Sequence, residues 1–204
     1  LVVLGGESKE RPVSLETGKA CFRAIKKLGY NALTFDPLKK SLNQIDKSKV
    51  DIIFNALHGK DGEDGNAQSF FEYLKIPYTH SGVISSMNAM DKVISKNIFK
   101  ENKILSPQFF VVSRRNFKNI NLKKLIIKNK LIFPIVIKPS NEGSSIGVKI
   151  CKNLKVLNKE FKSLSRIYDC LIFEQFIAGQ EVQVAVMRNK ALGAIELKPK
   201  RKFY

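Results

Sequence analysis

The chain contains no tryptophan, only 3 cysteines and 2 histidines, and half as many acidic residues as basic ones, 18 against 36. Each shortage excludes something. Cys21, Cys151 and Cys170 are odd in number and widely spaced, which supports neither a disulfide framework nor a Cys-based zinc site and fits a reducing cytosol. The longest apolar runs, such as residues 131–137, fall far short of the roughly 20 residues that a membrane-spanning helix requires. No basic-then-apolar leader precedes Leu1-Val2-Val3-Leu4, which already has the character of a buried strand, so the chain is expected to begin inside a larger protein.

What is present is ordinary globular material with an unusual charge. A hydrophobic share of 44% and a mean hydropathy of −0.14 are too apolar for a disordered polycation, although the formal net charge is +18. A basic surface attracts polyanions. Here, however, 29 of the basic residues are Lys and 7 are Arg, and Lys, Asn and Ile fill 65 of the 204 positions, the bias of an AT-rich gene. Nucleic-acid readers rely on Arg and on stacking aromatics, so no nucleic-acid partner is expected. Residues 1–90 hold 12 basic and 10 acidic groups and residues 91–204 hold 24 and 8. The positive charge therefore belongs to the second segment, where an anionic small ligand such as a nucleotide fits.

The pattern along the chain is α/β. Strands are expected at residues 1–4, 30–35 and 50–57 and near Tyr78, with a helix capped by Ser14 and ended by Gly29 and another over 67–74, an alternation that argues for a parallel sheet. A helix over 84–101 then leads to a second α/β segment. It has strands at 108–112, 133–138, 146–150 and 171–176, helices at 122–129 and 154–167, and a hairpin of 181–187 with 191–198. The last residues, Lys200-Arg201-Lys202-Phe203-Tyr204, carry no capping element, so the C-terminus also reads as cut.

Ligands of parallel sheets bind beyond the carboxyl ends of the strands, and two polar clusters fall there. One is Gly5-Gly6-Glu7-Ser8-Lys9-Glu10-Arg11. The other is His58-Gly59-Lys60-Asp61-Gly62-Glu63-Asp64-Gly65, whose glycines mark a backbone that approaches something closely. Glu10 is not explained by helix capping, and His58 alone is as well explained by a structural role. Further on, Lys138-Pro139-Ser140-Asn141-Glu142-Gly143-Ser144-Ser145-Ile146-Gly147 delivers a lysine from a strand into a Gly/hydroxyl loop. Such a loop can close N–H groups and hydroxyls over phosphates, although its order is not that of a P-loop, and a Ser/Gly loop between strands is ordinarily just a hairpin. Glu174 and Glu181 flank a turn where a backbone edge beside a carboxylate suits adenine and ribose, or where two acids are simply solvated. Lys92, in Met90-Asp91-Lys92, reads by itself as an exposed helix charge.

Taken together, Gly5-Gly6-x-Ser8-x-Glu10-Arg11, Ala56-Leu57-His58-Gly59-x-x-Gly62, Tyr78-Thr79-x-Ser81-Gly82, Met90-Asp91-Lys92 and Lys138-Pro139-x-x-Glu142-Gly143-Ser144-Ser145 resemble, in order and spacing, the D-alanine–D-alanine ligase family of the ATP-grasp superfamily. The resemblance implies a Rossmann-like parallel-sheet N-terminal substrate domain over 1–83, an ATP-grasp lid subdomain over 84–173 and the start of the C-terminal ATP-grasp subdomain over 174–204. It implies a cytoplasmic enzyme, homodimeric and free of membrane and nucleic acid, that condenses two D-alanines through an acyl phosphate for peptidoglycan precursors.

Residue by residue, it implies that Glu10 and His58 meet the first D-alanine and that Ser144 orients Glu10. ATP would be bound by Lys92 and Lys138 at its phosphates, by Ser144 and Ser145 in the loop that covers them, by Glu142, and by Glu174, Gln175, Ile177 and Glu181 at its adenosine. It also implies Mg2+ or Mn2+, with ligands and a transition-state Arg expected after Tyr204. Without them, this stretch alone is expected to be inactive. A D-alanine–D-lactate ligase and a non-catalytic nucleotide-binding module are the alternatives.

Overall fold

Val2 and Val3 form β1 (Val2–Val3), and because successive strand residues point to opposite faces, each anchors a different core. A computed structural model describes residues 1–198, which divide into two units, Leu1–Ile104 with Ser140–Ser144, and Leu105–Pro139 with the residues from Ser145 onward.

In the first unit β1 is central. It pairs in parallel with β2 (Thr34–Phe35) and β3 (Phe54–Asn55), giving the order β2-β1-β3. Helix α1 (Arg11–Lys27) lays Leu15, Phe22 and Ile25 against Val2, Leu4 and Ala56. On the opposite face, Phe71 of α2 (Asn66–Tyr73) packs with Val3, Ile53, Leu57 and Ile76. Tyr78 adds only an isolated parallel bridge to Ile53.

Two local expectations fail here. Helix α1 begins at Arg11, so Ser14 is not its cap. Its buried hydroxyl accepts the Gly5 N–H (2.8 Å) and donates to the Ala56 carbonyl (2.6 Å), joining the ends of β1 and β3 through the helix. The helix expected over 84–101 is two, α3 (Val83–Met90) and α4 (Lys92–Glu101). Asp91 divides them because its carboxylate accepts the N–H groups of Val93 (2.8 Å) and Ile94 (3.2 Å), a cap that starts a new helix.

The second unit contains β4 (Phe109–Ser113), α5 (Leu122–Lys128), β5 (Ile135–Pro139), β6 (Lys149–Cys151), α6 (Leu154–Leu164), β7 (Cys170–Gln175), β8 (Glu181–Met187) and β9 (Lys190–Leu197). Its main sheet, β4-β7-β5-β6, is antiparallel at every pairing in spite of the alternating helices. The loop joining β5 to β6 contains no helix to make the crossover that parallel pairing needs. Residues 146–148, expected in β6, belong to that loop, where the Val148 N–H turns back to the Ser145 carbonyl (3.2 Å).

One face of this sheet is dry. Phe110 and Phe173 stack at 4.7 Å, Phe161 leans on Phe173, and Ile135, Ile137, Leu157, Leu171 and Cys151 are fully buried around them. Burial, reinforced by the charge of Glu160, pushes the Cys151 thiol up to about 11. Strands β8 and β9 form a separate exposed hairpin. No helix among the described residues is long and apolar enough to cross a membrane. Residues 200–204, read from the sequence as a cut end, lie outside the described residues.

Candidate active site

The carboxyl ends of β1, β2 and β3 open into the loops of residues 5–10, 36–38 and 56–65. Glu10 lies at the junction of the first loop with α1 and caps nothing with its side chain. The loop is fastened to the third one. The Ser8 hydroxyl accepts the Glu10 N–H (3.1 Å) and donates to the His58 carbonyl (2.7 Å).

Glu10 is enclosed by backbone. Gly59, at φ +68°, is so close that a Cβ there would overlap Glu10 Oε2, and a Cβ on Gly143 would stand 3.1 Å from the same oxygen. Ser144 donates its hydroxyl to Glu10 Oε1. Three segments far apart in sequence thus meet at one half-buried carboxylate, and Glu10, His58 and Ser144 fall in one neighbourhood. The His58 ring reaches Thr17 Oγ1 (3.3 Å, Nε2) and Glu63 Oε1 (3.6 Å, Nδ1) and borders a cavity of about 440 Å3 lined also by Cys21, His80, Ser81 and Met90.

Lys92 and Glu142 belong to the same unit. Lys92 opens α4, its N–H donates to the Ser140 carbonyl (3.0 Å), and its ammonium donates to the Glu142 carbonyl. The Glu142 carboxylate pairs with Lys9 at 2.9 Å. Lys92 therefore steadies the loop that presents Gly143 and Ser144.

The remaining candidates lie in the second unit. Lys138 on β5 forms a partly buried ion pair with Glu174 on β7. The Gln175 N–H donates to the Gln108 carbonyl (2.9 Å), and its side-chain oxygen accepts the Ile132 N–H (3.0 Å), so the end of β7 is tied down. Ile177 beyond it is exposed, as is Glu181 at the start of β8. Ser145, in this unit, and Ser144, in the first, have φ of +56° and +44°, the left-handed backbone that non-glycine residues seldom adopt. Among the described residues no three His, Cys, Asp or Glu side chains gather as a metal-ligand set.

Sequence reading missed Asp36. It stands just after β2, at the carboxyl edge of the sheet whose neighbouring loops carry Glu10 and His58, and forms a two-pronged ion pair with Arg11 (2.7 and 2.9 Å). Its position in the row of strand ends was the available signal.

Comparison with known proteins adds the relatives. The family model described as D-ala D-ala ligase N-terminus matches residues 31–81, and the one described as D-ala D-ala ligase C-terminus matches residues 98–204. The chain is similar to the D-alanine–D-alanine ligase of Pelagibacter ubique (strain HTCC1062), 52% identical over 204 residues, covering 100% of this chain and 66% of that protein. It is also similar to the D-alanine–D-alanine ligase of Geotalea uraniireducens (strain Rf4), 39% identical over 203 residues, covering 100% of this chain and 64% of that one. Among solved structures, the D-alanine–D-alanine ligase of Bacillus anthracis complexed with ATP superposes with a TM-score of 0.84 at 32% identity, covering 99% of this chain and 66% of that one. The chain spans just under two thirds of the length of these curated relatives.

Proposed function

Because the chain belongs to the D-alanine–D-alanine ligase family, whose members have the ATP-grasp fold, we propose that the complete protein joins two D-alanines with ATP. The carboxylate of the first D-alanine takes the γ-phosphoryl group, releasing ADP. The amine of the second attacks the acyl phosphate, releasing inorganic phosphate and a proton. The dipeptide serves peptidoglycan precursor synthesis in the cytoplasm, and the protein acts as a homodimer.

The observation that carries this reading is the enclosure of Glu10. A carboxylate at the strand ends, fixed by the Ser144 hydroxyl and walled by the backbone of Gly59 and Gly143, suits a small ammonium group and leaves little room for more. Glu10 receives the ammonium of the first D-alanine, His58 meets the same substrate, and Ser144 sets the carboxylate's orientation.

Lys138, Lys92, Ser144 and Ser145 fit a polyphosphate by their chemistry, two ammonium groups and two hydroxyls on a glycine-bearing loop, with Glu142 in the same loop. Glu174, Gln175, Ile177 and Glu181 serve the adenosine end. Residues 1–83 form the substrate domain, 84–173 the lid, and 174–204 the first part of the C-terminal ATP-grasp subdomain. Mg2+ or Mn2+ would supply neutralisation of the charge on the transferring phosphoryl group; among the described residues no three His, Cys, Asp or Glu side chains gather as its ligand set.

The test is steady-state kinetics on the complete protein. Glu10→Gln removes one partner of an enclosed charge pair, a change expected to lower kcat/KM for the first D-alanine by roughly 100-fold while ATP binding stays unchanged. Lys138→Ala is expected to raise the ATP KM or abolish turnover. Unchanged kinetics in either variant refutes its assignment, and for Glu10→Gln equal losses for both substrates do so too.

A further inference from the structure

Arg11 follows Glu10 directly in the chain and opens α1, yet its guanidinium turns away from the carboxylate. It meets Asp36 fork to fork, with Nη1 donating to Oδ1 (2.9 Å) and Nη2 to Oδ2 (2.7 Å). The same Nη1 donates to the Gly6 carbonyl (2.8 Å), and the Gly6 N–H donates back to Asp36 Oδ1 (3.1 Å). Both backbone groups of Gly6 are thus taken by one ion pair, which closes a ring through Gly6, Asp36 and Arg11. The Leu38 N–H adds a further bond to Asp36 (3.1 Å), anchoring the pair to the segment after β2.

The turn is moulded on this pair. A Cβ at Gly5 would lie 2.6 Å from Asp36 Oδ1 and 2.7 Å from Arg11 Nη1. The side chains of Arg11 and Asp36 are only 25% and 10% exposed, so solvent screens the pair weakly, and removing one partner leaves a largely buried charge uncompensated. The hydrogen bonds from Arg11 hold the Asp36 carboxyl below the usual carboxylate range, with the Gly6 and Leu38 N–H groups adding to the effect against burial. Neither residue lines the cavity beside His58. They act at a distance from the pocket, on the segment that carries Glu10.

We propose that Asp36 and Arg11 are positioning residues for substrate binding: by locking Gly6 they fix the loop of residues 5–10, and so hold the Glu10 carboxylate where Ser144 and the first D-alanine ammonium meet it. The proposal rests on the reading of Glu10 given under the proposed function. It differs from a purely structural role, because a structural pair would change stability and leave the balance between the two substrates alone.

The experiment uses the complete protein with Asp36→Asn, Arg11→Met, the double variant and Arg11→Lys. Each neutralising single variant is expected to raise the KM of the first D-alanine about 10-fold while the ATP KM stays within about 2-fold, since an order of magnitude corresponds to the net worth of one such link. The double variant is expected to be no worse than the poorer single one, because either change opens the same ring. Arg11→Lys keeps the charge but loses the fork, and should fall between wild type and Arg11→Met. It carries the comparison if Asp36→Asn does not fold.

Amide hydrogen exchange over residues 5–10 is expected to speed up in the same variants. A folded variant with unchanged D-alanine KM, equal losses for both substrates, or additive losses in the double variant overturns the proposal. So does faster exchange without a change in D-alanine KM. A wild-type protein that makes no dipeptide refutes the functional reading itself and takes the proposal with it, an outcome distinct from an active wild type with indifferent variants.

Discussion

The two units hold themselves together by different means. In the first, strands of two residues each are laced by side chains onto main chain: Ser14 links β1 to β3, Asn55 donates to the Gly62 carbonyl (2.9 Å), and the Arg11–Asp36 pair locks Gly6. In the second, longer antiparallel strands pack one apolar face around stacked phenyl rings. Directional polar links fix where groups point, whereas apolar burial supplies stability without direction. The first unit also buries apolar cores on both faces of its sheet, so a change to one of its polar links can spoil the geometry around Glu10 while leaving the core in place, whereas a change among the stacked phenyl rings of the second unit acts on stability first.

The strongest challenge to that contrast is Phe173→Ala. Losing a fully buried phenyl stacked on Phe110 is expected to cost about 3–5 kcal/mol and to lower the Tm by roughly 10 °C. The D-alanine KM of the complete protein, measured well below the melting range, should change by less than about 2-fold; a clear loss of D-alanine binding in the folded variant would break the division of labour. Gly59→Ala is the mirror test. Its left-handed backbone costs an alanine about 1–2 kcal/mol, and the new methyl group displaces Glu10, so D-alanine binding should weaken more than the Tm shift alone explains.

A smaller effect should appear in the pH dependence of Asp36. Its carboxyl titrates lower in the folded protein than its ordinary value of 3.8, so its contribution to stability is present above that value and is lost as pH falls through the folded pKa. The stability gap between wild type and Asp36→Asn should therefore be flat from pH 7 to about 5 and narrow below 3.8. A gap that widens on acidification would contradict the pairing.

Much of the element order was legible because it is local. Alternating apolar residues gave β8 its observed bounds, Glu181–Met187; the α/β class followed from the alternation of strands and helices, and the family from the resemblance that the loop motifs carry. What was not legible depends on partners far away in the chain. Ser14 looks like a cap from its neighbours, but its hydroxyl is claimed by Gly5 and by Ala56, 42 residues on. Asp91 sits inside an unbroken apolar period, and only its capping bonds reveal two helices. The antiparallel sheet was hidden because alternating helices do not reveal whether a helix serves as the crossover. Asp36 was passed over because the groups it holds, Gly6 and Arg11, lie 30 and 25 residues earlier.

Cys151 offers a use that its burial alone does not suggest. Its sulfur is sealed in the core of the second unit and its thiol is held mostly protonated, up to about 11, whereas Cys21 and Cys170 are only partly covered. Alkylating reagents attack the thiolate, so Cys151 should be labelled only when its unit opens. The rate of its modification, read by mass spectrometry after a timed pulse, turns a silent core residue into a clock for the opening of that unit.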